Sequence, residues 1–439
     1  MSLTRSATVA DAEPSPPAGS RRAVAVVVGV VFLDLLGFGV VIPVLPFYVR
    51  SFGVSDVFIG LLAASYSLAQ FLAAPTLGRI SDQYGRRPVI MASVATAAVA
   101  WTVFGLAAEV GTLAGTAAAV ATLFVSRTLA GAAGGNIAAA QAYVADVTPE
   151  DRRAGALGLV GAAFALGFVF GPAIGGLAAS DGVVAAADAA LPAFVPTTRF
   201  SLPSFVAAGL SLVALVAAAL VLKEPDRERR PAPRRSLLDS FRDALADATL
   251  RPLVVAFFLA SVAFAGIQVM FIPFAADFYG YGATEAALFL TYIGVLGTVN
   301  QGVLVGKLER RYGAAPLAVA GGVSLATALA LLPFTPAVGS LLPAPAGPAW
   351  LDGPLLALLA DGALLSFGNG AFTVSLTTLV SRAASEETQG AAFGVTQGAG
   401  SLGRTVGPPV AAAAYVAAYW SPFVAGAVVL VPALFLLRR

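Results

Sequence analysis

Four charged side chains lie inside long apolar runs of the sequence: Asp34, Arg127, Asp361 and Arg404. Charge inside a membrane span costs about 2.5 to 3.5 kcal/mol on insertion scales, so each of them calls for a reason. The chain has no His and no Cys, which removes the commonest general base, disulfides and thiolate metal sites. Proton chemistry therefore falls to carboxylates. We find no catalytic constellation, cofactor motif or metal-ligand cluster that would indicate an enzyme.

Asp34 is the candidate for a proton carrier. It follows Arg22 by 12 residues, so at about 1.5 Å per residue it lies about 18 Å into the membrane, near the midplane. Desolvation there disfavours the charged form of a carboxyl, which suits a group that binds and releases a proton. The alternative is a permanent buried ion pair with Arg127, and the two are compatible if the pair breaks when the proton binds.

Arg127 begins the glycine-containing run from Arg127 to Asn136, in which small residues allow a neighbouring helix to approach. Its guanidinium either holds Asp34 ionised or meets an anionic group of the substrate. Asp361 and Arg404 both fall in the outer half of the C-terminal part of the chain. For them we expect a structural charge pair that locks two spans together.

The composition places these residues in a membrane protein. Of 439 residues, 58% are hydrophobic and 11% are charged, and the mean hydropathy is +0.86. Soluble proteins are about 45 to 50% apolar and 25% charged. The sequence predicts an all-α membrane protein with twelve spans near residues 23–49, 57–80, 88–108, 112–145, 154–179, 203–223, 252–278, 283–308, 315–336, 353–380, 389–413 and 415–437.

Charge outside the spans predicts the topology. The basic residues fall in the N-terminal tail, in the even-to-odd connections and at the C-terminus, with Arg50 and Arg199 on the opposite side. By the positive-inside rule, both termini are cytoplasmic in a plasma (inner) membrane. Residues 1–22 are predicted to be a disordered tail, and the net charge of +2 is explained by topology without nucleic acid. Residues 224–250 read as a cytoplasmic linker, with a short amphipathic helix over 237–245, between six-helix bundles at 23–223 and 251–439.

The two bundles show an internal repeat. Gly39 and Pro46 correspond to Gly266 and Pro273 at an offset of 227 residues, and the Gly78–Arg87 motif is echoed from Gly306 at an offset of 228. Four residues of span 5 (Gly158, Gly167, Gly171 and Pro172) match four of span 11 at an offset of 236. Ordered matches at nearly constant spacing predict duplication of a six-span unit, with a binding site between the halves.

The connection between spans 2 and 3 is a candidate gate. We expect Gly78 to permit close helix approach and Gly85 to permit a tight turn. Charge-assisted bonds among Asp82, Arg86 and Arg87, with Asp146 as a further partner, would form a lattice that is made in one conformation and broken in the other. The alternative is that these charges only anchor the topology.

A second group of candidates concerns packing and substrate. Small residues four apart in span 5, followed by an in-helix proline, predict tight helix packing; they are Gly167, Gly171, Pro172, Gly175 and Gly176. Polar and aromatic side chains within the spans are candidates for the substrate cavity, although some of them will only bond between helices; they are Phe38, Asn136, Gln141, Gln268, Tyr292, Asn300, Asn369 and Gln397.

Taken together, these motifs resemble those of the major facilitator superfamily over residues 23–437. Gly78–Arg87 matches that family's loop motif, and Gly167–Gly176 resembles its antiporter motif. The stretches from Asp34 to Pro46 and from Ser81 to Pro88 are similar to drug:proton antiporters of the tetracycline-resistance type. The resemblance implies alternating access and proton-driven export, with Asp34 and Arg127 in coupling and with Asp82, Arg86 and Arg87 at the inner gate. The C-terminal copy departs from the motif, with Arg310 in place of the aspartate.

The sequence therefore predicts a proton-coupled exporter of small, largely apolar organic molecules, acting as a monomer without a cofactor. A facilitator or proton symporter for a sugar or another polar metabolite is the alternative within transport. A receptor or scaffold would not need Asp34 together with a repeated gate. A membrane enzyme would need a catalytic cluster that the sequence lacks.

Overall fold

The computed structural model describes residues 18–225, 237–342, 348, 351–384 and 389–437. Within these ranges the chain is helical and contains no strand, which confirms the predicted all-α class. Ten helical segments are long and apolar enough to cross a membrane. These ten are Arg22–Ser51, Val57–Tyr84, Arg86–Gly105, Thr116–Val147, Glu150–Ala178, Ser201–Val221, Leu250–Tyr279, Ala283–Tyr312, Ala314–Ser340 and Gly353–Ala383.

Helix Gln389–Ala417 and the shorter apolar helix Ser421–Leu436 occupy the places of the last two predicted spans. We number the segments in chain order as spans 1 to 12. The predicted tail overlaps span 1, whose helix begins at Ala18, while residues 1–17 lie outside the described part of the chain. In the predicted linker, the helix Leu237–Ala246 is found where a short helix was expected; residues 226–236 are not described.

Several spans are interrupted. Span 1 consists of Ala18–Val41 and Leu45–Ser51, and the break falls at Pro43, which lacks a backbone N–H and disfavours helical geometry before it. The other composite spans are span 4 (Thr116–Ala133 and Asn136–Val147), span 8 (Ala283–Val299, a π-helical turn at Asn300–Leu304, and Val305–Tyr312) and span 9 (Ala314–Leu331, a 3-10 turn at Leu332–Phe334, and Thr335–Ser340).

Span 4 begins at Thr116, four residues after its predicted start near residue 112. Residues Ala107–Ala114 form a separate short helix, which ends at Gly115. Gly115 has a φ of 87°, a conformation that glycine adopts without steric cost, and the chain turns there before span 4 begins. A second short helix, Asp181–Ala190, follows span 5.

The two ends of the helical bundle carry different charge clusters. At one end of the bundle, Arg86 contacts Asp146 and Glu224; we call this end the loop face. The opposite end, where Arg50 meets Asp277, is the far face.

The two halves pack against each other at two helix pairs: span 2 contacts span 11, and span 5 contacts span 8. Toward the far face, Gly60 of span 2 lies so close to Pro408 and Ala412 of span 11 that a Cβ atom would collide with them. Thr284 of span 8 donates a hydrogen bond from Oγ1 to the carbonyl oxygen of Gly176 at 3.1 Å. Small residues therefore bring the backbones of the two halves into contact on this side.

Candidate transport site

The guanidinium of Arg127 lies among aromatic rings contributed by three other helices. Its Cζ atom is 4.6 Å from the ring centroid of Tyr66, 5.5 Å from that of Phe38 and 5.9 Å from that of Trp101. Arg127 is only 6% exposed, and its Nε has no hydrogen-bond partner among the described residues. A cation over ring faces is attracted by the ring quadrupoles. We call Arg127, Phe38, Tyr66 and Trp101 the aromatic cage.

Glycines in span 4 set the position of this cage. A Cβ atom on Gly131 would collide with the backbone of Tyr66, and one on Gly134 would crowd the side chains of Tyr66 and Gln70. Gln70 donates a hydrogen bond to the carbonyl oxygen of Gly134 at 3.4 Å. Because span 4 lies directly on span 2, the side chain of Arg127, one turn before Gly131, reaches the Tyr66 ring.

Asp34 lies on span 1, one turn before Phe38, and is partly buried. The two residues predicted to couple protons are linked through Phe38, which lies one turn after Asp34 and whose ring centroid is 5.5 Å from Cζ of Arg127. Their roles in coupling remain predictions.

The predicted charge pair between Asp361 and Arg404 was wrong. Asp361 is 6% exposed, and both of its carboxylate oxygens are buried without a hydrogen-bond partner among the described residues. Arg404 donates instead to Ser401 Oγ at 2.9 Å. The two side chains fail to meet because equal depth along two helices does not place their side chains on facing sides, and Arg404 bonds along its own helix instead.

The span 5 motif packs on span 1 beside the candidate site. Cβ atoms on Gly167, Gly171 and Gly175 would collide with the backbone or side chains of span 1 between Leu35 and Val40. Gly176 points the other way, toward Thr284 and Ala287 of span 8. Pro172 sits inside this helix beside Gly39. The tight packing predicted for these residues is confirmed, and it links the segment that carries Asp34 to the other half.

The remaining substrate candidates divide into two groups. Gln141, Gln268 and Gln397 are exposed within spans 4, 7 and 11. Asn300 donates to Ser366 Oγ at 3.3 Å, and Tyr292 donates to the carbonyl oxygen of Leu359 at 3.0 Å, so both bond to span 10.

Asn369 is half-buried in span 10. The side chain of Asn136 lies outside the described part of the structure.

At the loop face, Arg86 is the centre of the predicted lattice. Its guanidinium contacts Asp82 at 2.8 Å, Asp146 at 3.1 Å and Ser81 Oγ at 2.6 Å. The contacts predicted for Asp82, Arg86 and Asp146 are therefore confirmed. Gly85 has a φ of 117°, as the predicted tight turn requires. Whether the lattice gates transport stays a prediction.

Two residues of this motif differ from expectation. Gly78 was expected to permit close helix approach, but a Cβ atom there would meet nothing within 4 Å among the described residues. Arg87 was expected to join the carboxylate lattice. It instead donates from Nη2 to the carbonyl oxygen of Ala219 at 3.0 Å, because it lies on the side of span 3 that faces span 6.

Sequence reasoning missed Glu224 and Trp101. Glu224 accepts hydrogen bonds from the backbone N–H groups of Arg86 at 2.7 Å and Arg87 at 2.9 Å, where a carboxylate complements the positive end of the span 3 helix. A carboxylate directly after span 6, on the face where span 3 begins, was the available signal. Trp101 lies in an apolar span, where a tryptophan is expected only to pack against its neighbours, so the sequence carried no signal for its contact with Arg127.

Comparisons with known proteins agree with this architecture. The family model described as Major Facilitator Superfamily matches residues 27–347. "Tetracycline resistance protein, class C" of Escherichia coli is 31% identical over 404 residues, which cover 91% of each chain. "Multidrug resistance protein 1" of Bacillus subtilis (strain 168) is 27% identical over 64% of this chain and 66% of its own.

Solved structures share the fold. A bacterial homologue of the human lysosomal transporter Spinster, in an inward-facing and occupied conformation, has a TM-score of 0.75 at 16% identity and covers 97% of each chain. The human organic anion transporter MFSD10 (TETRAN) has a TM-score of 0.65 at 23% identity and covers 96% of this chain and 100% of its own. At these identities the likeness concerns the fold alone.

Proposed function

Because the chain belongs to the major facilitator superfamily, we propose that it exports small, largely apolar organic molecules in exchange for protons, by alternating access. The observation that carries the proposal is the buried guanidinium of Arg127 within the aromatic cage, whose ring Phe38 lies one turn after Asp34 on span 1. The relatives named for tetracycline and multidrug resistance support the substrate class. The loop face is the cytoplasmic side of the inner membrane, and one chain is the working unit.

Proton binding at Asp34 changes the charge beside the aromatic cage. With Asp34 ionised, span 1 carries a negative charge one turn from Phe38; with a proton bound, that charge is removed. Span 1 carries Asp34 and packs without gaps on span 5 at Gly39 and Gly171. Span 5 in turn contacts span 8 at Gly176. A shift of span 1 on protonation is therefore transmitted to the interface between the halves.

Substrate binds between the halves in this mechanism. Phe38 and Tyr66, whose ring centroids are 4.9 Å apart, offer an apolar wall. Gln141, Gln268 and Gln397 are exposed within their spans and provide a few hydrogen-bonding groups. Such a mixture of aromatic rings and amides suits a drug-like molecule with a polar edge.

The exposed amides also favour a second candidate function, a facilitator or proton symporter for a sugar or another polar metabolite. Three glutamines on spans 4, 7 and 11 match the hydroxyl groups of such a substrate. The direction of proton movement separates the two functions. In antiport, protons move against the substrate flow; in symport, they move with it.

Replacing Asp34 tests the coupling. In proteoliposomes with an imposed pH gradient and a tetracycline as the probe, we expect Asp34→Asn to abolish uphill accumulation and to retain downhill exchange. The amide keeps the shape of the side chain but cannot take up a proton. A pH-sensitive dye trapped in the vesicles reports proton movement in the same experiment.

The matched control is Asp151→Asn, which removes a carboxylate from the exposed start of span 5. It should leave accumulation unchanged. Gradient-driven accumulation by Asp34→Asn at the parent level would rule out the coupling role.

A further inference from the structure

A network of four side chains at the far face contains an ion pair between the two halves. Arg50, at the end of span 1, donates to Asp56 through Nε at 2.8 Å and Nη2 at 2.7 Å. The same guanidinium donates to Asp277 of span 7 through Nη1 at 2.7 Å and Nη2 at 2.9 Å. Tyr415 of span 11 donates its hydroxyl to Asp277 at 2.7 Å. A planar guanidinium with two carboxylates on its edges is a strong and directional arrangement.

Arg50 and Asp277, which form the contact between the halves, are each positioned by a residue of their own half. Asp56 precedes span 2 and fixes Arg50 within the N-terminal half, while Tyr415 fixes Asp277 within the C-terminal half. The side chains of Arg50 and Asp277 are 27% and 40% exposed. An exposed ion pair usually contributes little because two flexible side chains must be ordered. Here both are ordered beforehand, so joining the halves costs less conformational entropy.

Arg50 and Asp277 are also equivalent positions of the internal repeat. They are separated by 227 residues, which is the offset that relates Gly39 to Gly266 and Pro46 to Pro273. Equivalent residues of two related halves meet near the axis that relates them. If both copies carried the same charged residue, they would repel each other; opposite charges turn the contact into an attraction.

We propose that Arg50, Asp56, Asp277 and Tyr415 form a latch that holds the far face closed and is released when that face opens. The latch lies beside the Gly60 contact with Pro408 and Ala412, so charge and close packing act on the same closure. The inference rests on the alternating access of the proposed function. It does not depend on the substrate or on Asp34.

The absence of cysteine from the chain makes the test direct. Ala412→Cys places a single thiol in the contact between spans 2 and 11, which is buried in this conformation. The substitution adds one sulfur atom to a tight contact, so every variant is compared with Ala412→Cys alone, which carries the same change. A membrane-impermeant maleimide added from the far side then labels the protein only when that side opens. In this background we expect Arg50→Gln and Asp277→Asn each to raise the labelling rate about fivefold, because each removes the pair between the halves.

The double variant Arg50→Gln with Asp277→Asn should label no faster than the faster single variant, since both remove one interaction. Arg50→Lys should be intermediate, because an ammonium cannot hold both carboxylates in a fork. The control is Arg199→Gln, which removes the other far-side arginine; Arg199 pairs with Asp181 of the same half at 3.0 Å. That variant should label at the parent rate.

The latch would be overturned by parent-rate labelling of both single variants that elute as folded protein in size-exclusion chromatography, or by independent, multiplying effects of the two substitutions. If Ala412→Cys is never labelled in any variant, while uphill transport persists, alternating access through this interface fails and the latch fails with it. Loss of coupling in Asp34→Asn alone leaves the latch untouched, so the two proposals fail separately.

Discussion

At the far face an ion pair joins the two halves, whereas at the loop face the described ion pairs stay within one half. Arg50 reaches Asp277 across the interface. Arg86, by contrast, bonds Asp82 and Asp146 of its own half, and Glu309 bonds Arg382 of its own half at 3.7 Å. The far-face ion pair therefore stabilises the contact between the two halves, whereas the described loop-face ion pairs stabilise the structure within each half.

The loop face is also unequal between the two halves. Among the described residues, Arg86 is buried and has three side-chain partners, while Arg382 is 65% exposed and has one long contact, with Glu309. The motif residue Asp82 has no acidic counterpart at Arg310, and the neighbouring Glu309 takes the acidic role. The repeated loop has kept its position, but its described ion pair is longer and more exposed in the C-terminal half.

The largest effect is expected from added side-chain volume at the far face, where Gly60 contacts Pro408 and Ala412. Gly60→Ala places a Cβ atom against Pro408 and Ala412, and overpacking of this kind costs about 1 to 3 kcal/mol. The equilibrium should move toward the opened far face by tenfold or more, measured as labelling of a far-side reporter cysteine. Gly78→Ala is the control, because nothing described lies within 4 Å of that position. Equal labelling of the two variants would contradict the closure.

Removing the centre of the loop-face lattice should have the next largest effect. Arg86→Gln leaves Asp82 and Asp146 without their shared cation, and hydrogen bonds to charged groups contribute about 1.5 to 3 kcal/mol. We expect the transport rate to fall about tenfold with unchanged substrate affinity, measured by initial rates and equilibrium binding. Arg382→Gln should change the rate by less than about twofold, since its pair is exposed. A larger effect at Arg382 than at Arg86 would reverse the comparison.

The smallest effect concerns Asp247, at the start of span 7. The backbone N–H groups of Leu250 and Thr249 donate to this carboxylate and lower its pKa. A depressed pKa contributes stability above the unfolded pKa, and that contribution is lost as the pH falls through the folded pKa. We expect Asp247→Ala to lower the Tm by about 1 °C at pH 7, with the difference shrinking near pH 3.

Asp247→Asn retains an oxygen acceptor and is the control for this prediction. A Tm difference between parent and Asp247→Ala that grows on acidification would show that the capping argument is wrong.

The sequence predicted whatever follows from hydropathy and from small residues at helical spacing. The order of the spans, the tight packing of Gly167 and Gly171, and the partners of Arg86 needed only local patterns and the loop motif; the partner of the two glycines, span 1, came from the structure. The Asp361–Arg404 pair failed because residue counting gives depth along a helix but not the face on which a side chain lies. Arg50 and Asp277 were missed for a related reason: a contact between equivalent positions of a repeat becomes visible only when both halves are placed together.

The π-helical turn in span 8 accounts for a small irregularity of the repeat. Gly53 and Gly280, which adopt nearly the same left-handed conformation, are 227 residues apart, but the turn glycines Gly85 and Gly313 are 228 apart. The extra residue falls between those two pairs, an interval that contains Asn300–Leu304. A helix that closes each hydrogen bond one residue later absorbs a single-residue insertion without moving its ends. The second copy of the unit thus carries one more amino acid within this span than the first, while the turns at both ends of that helix keep equivalent conformations.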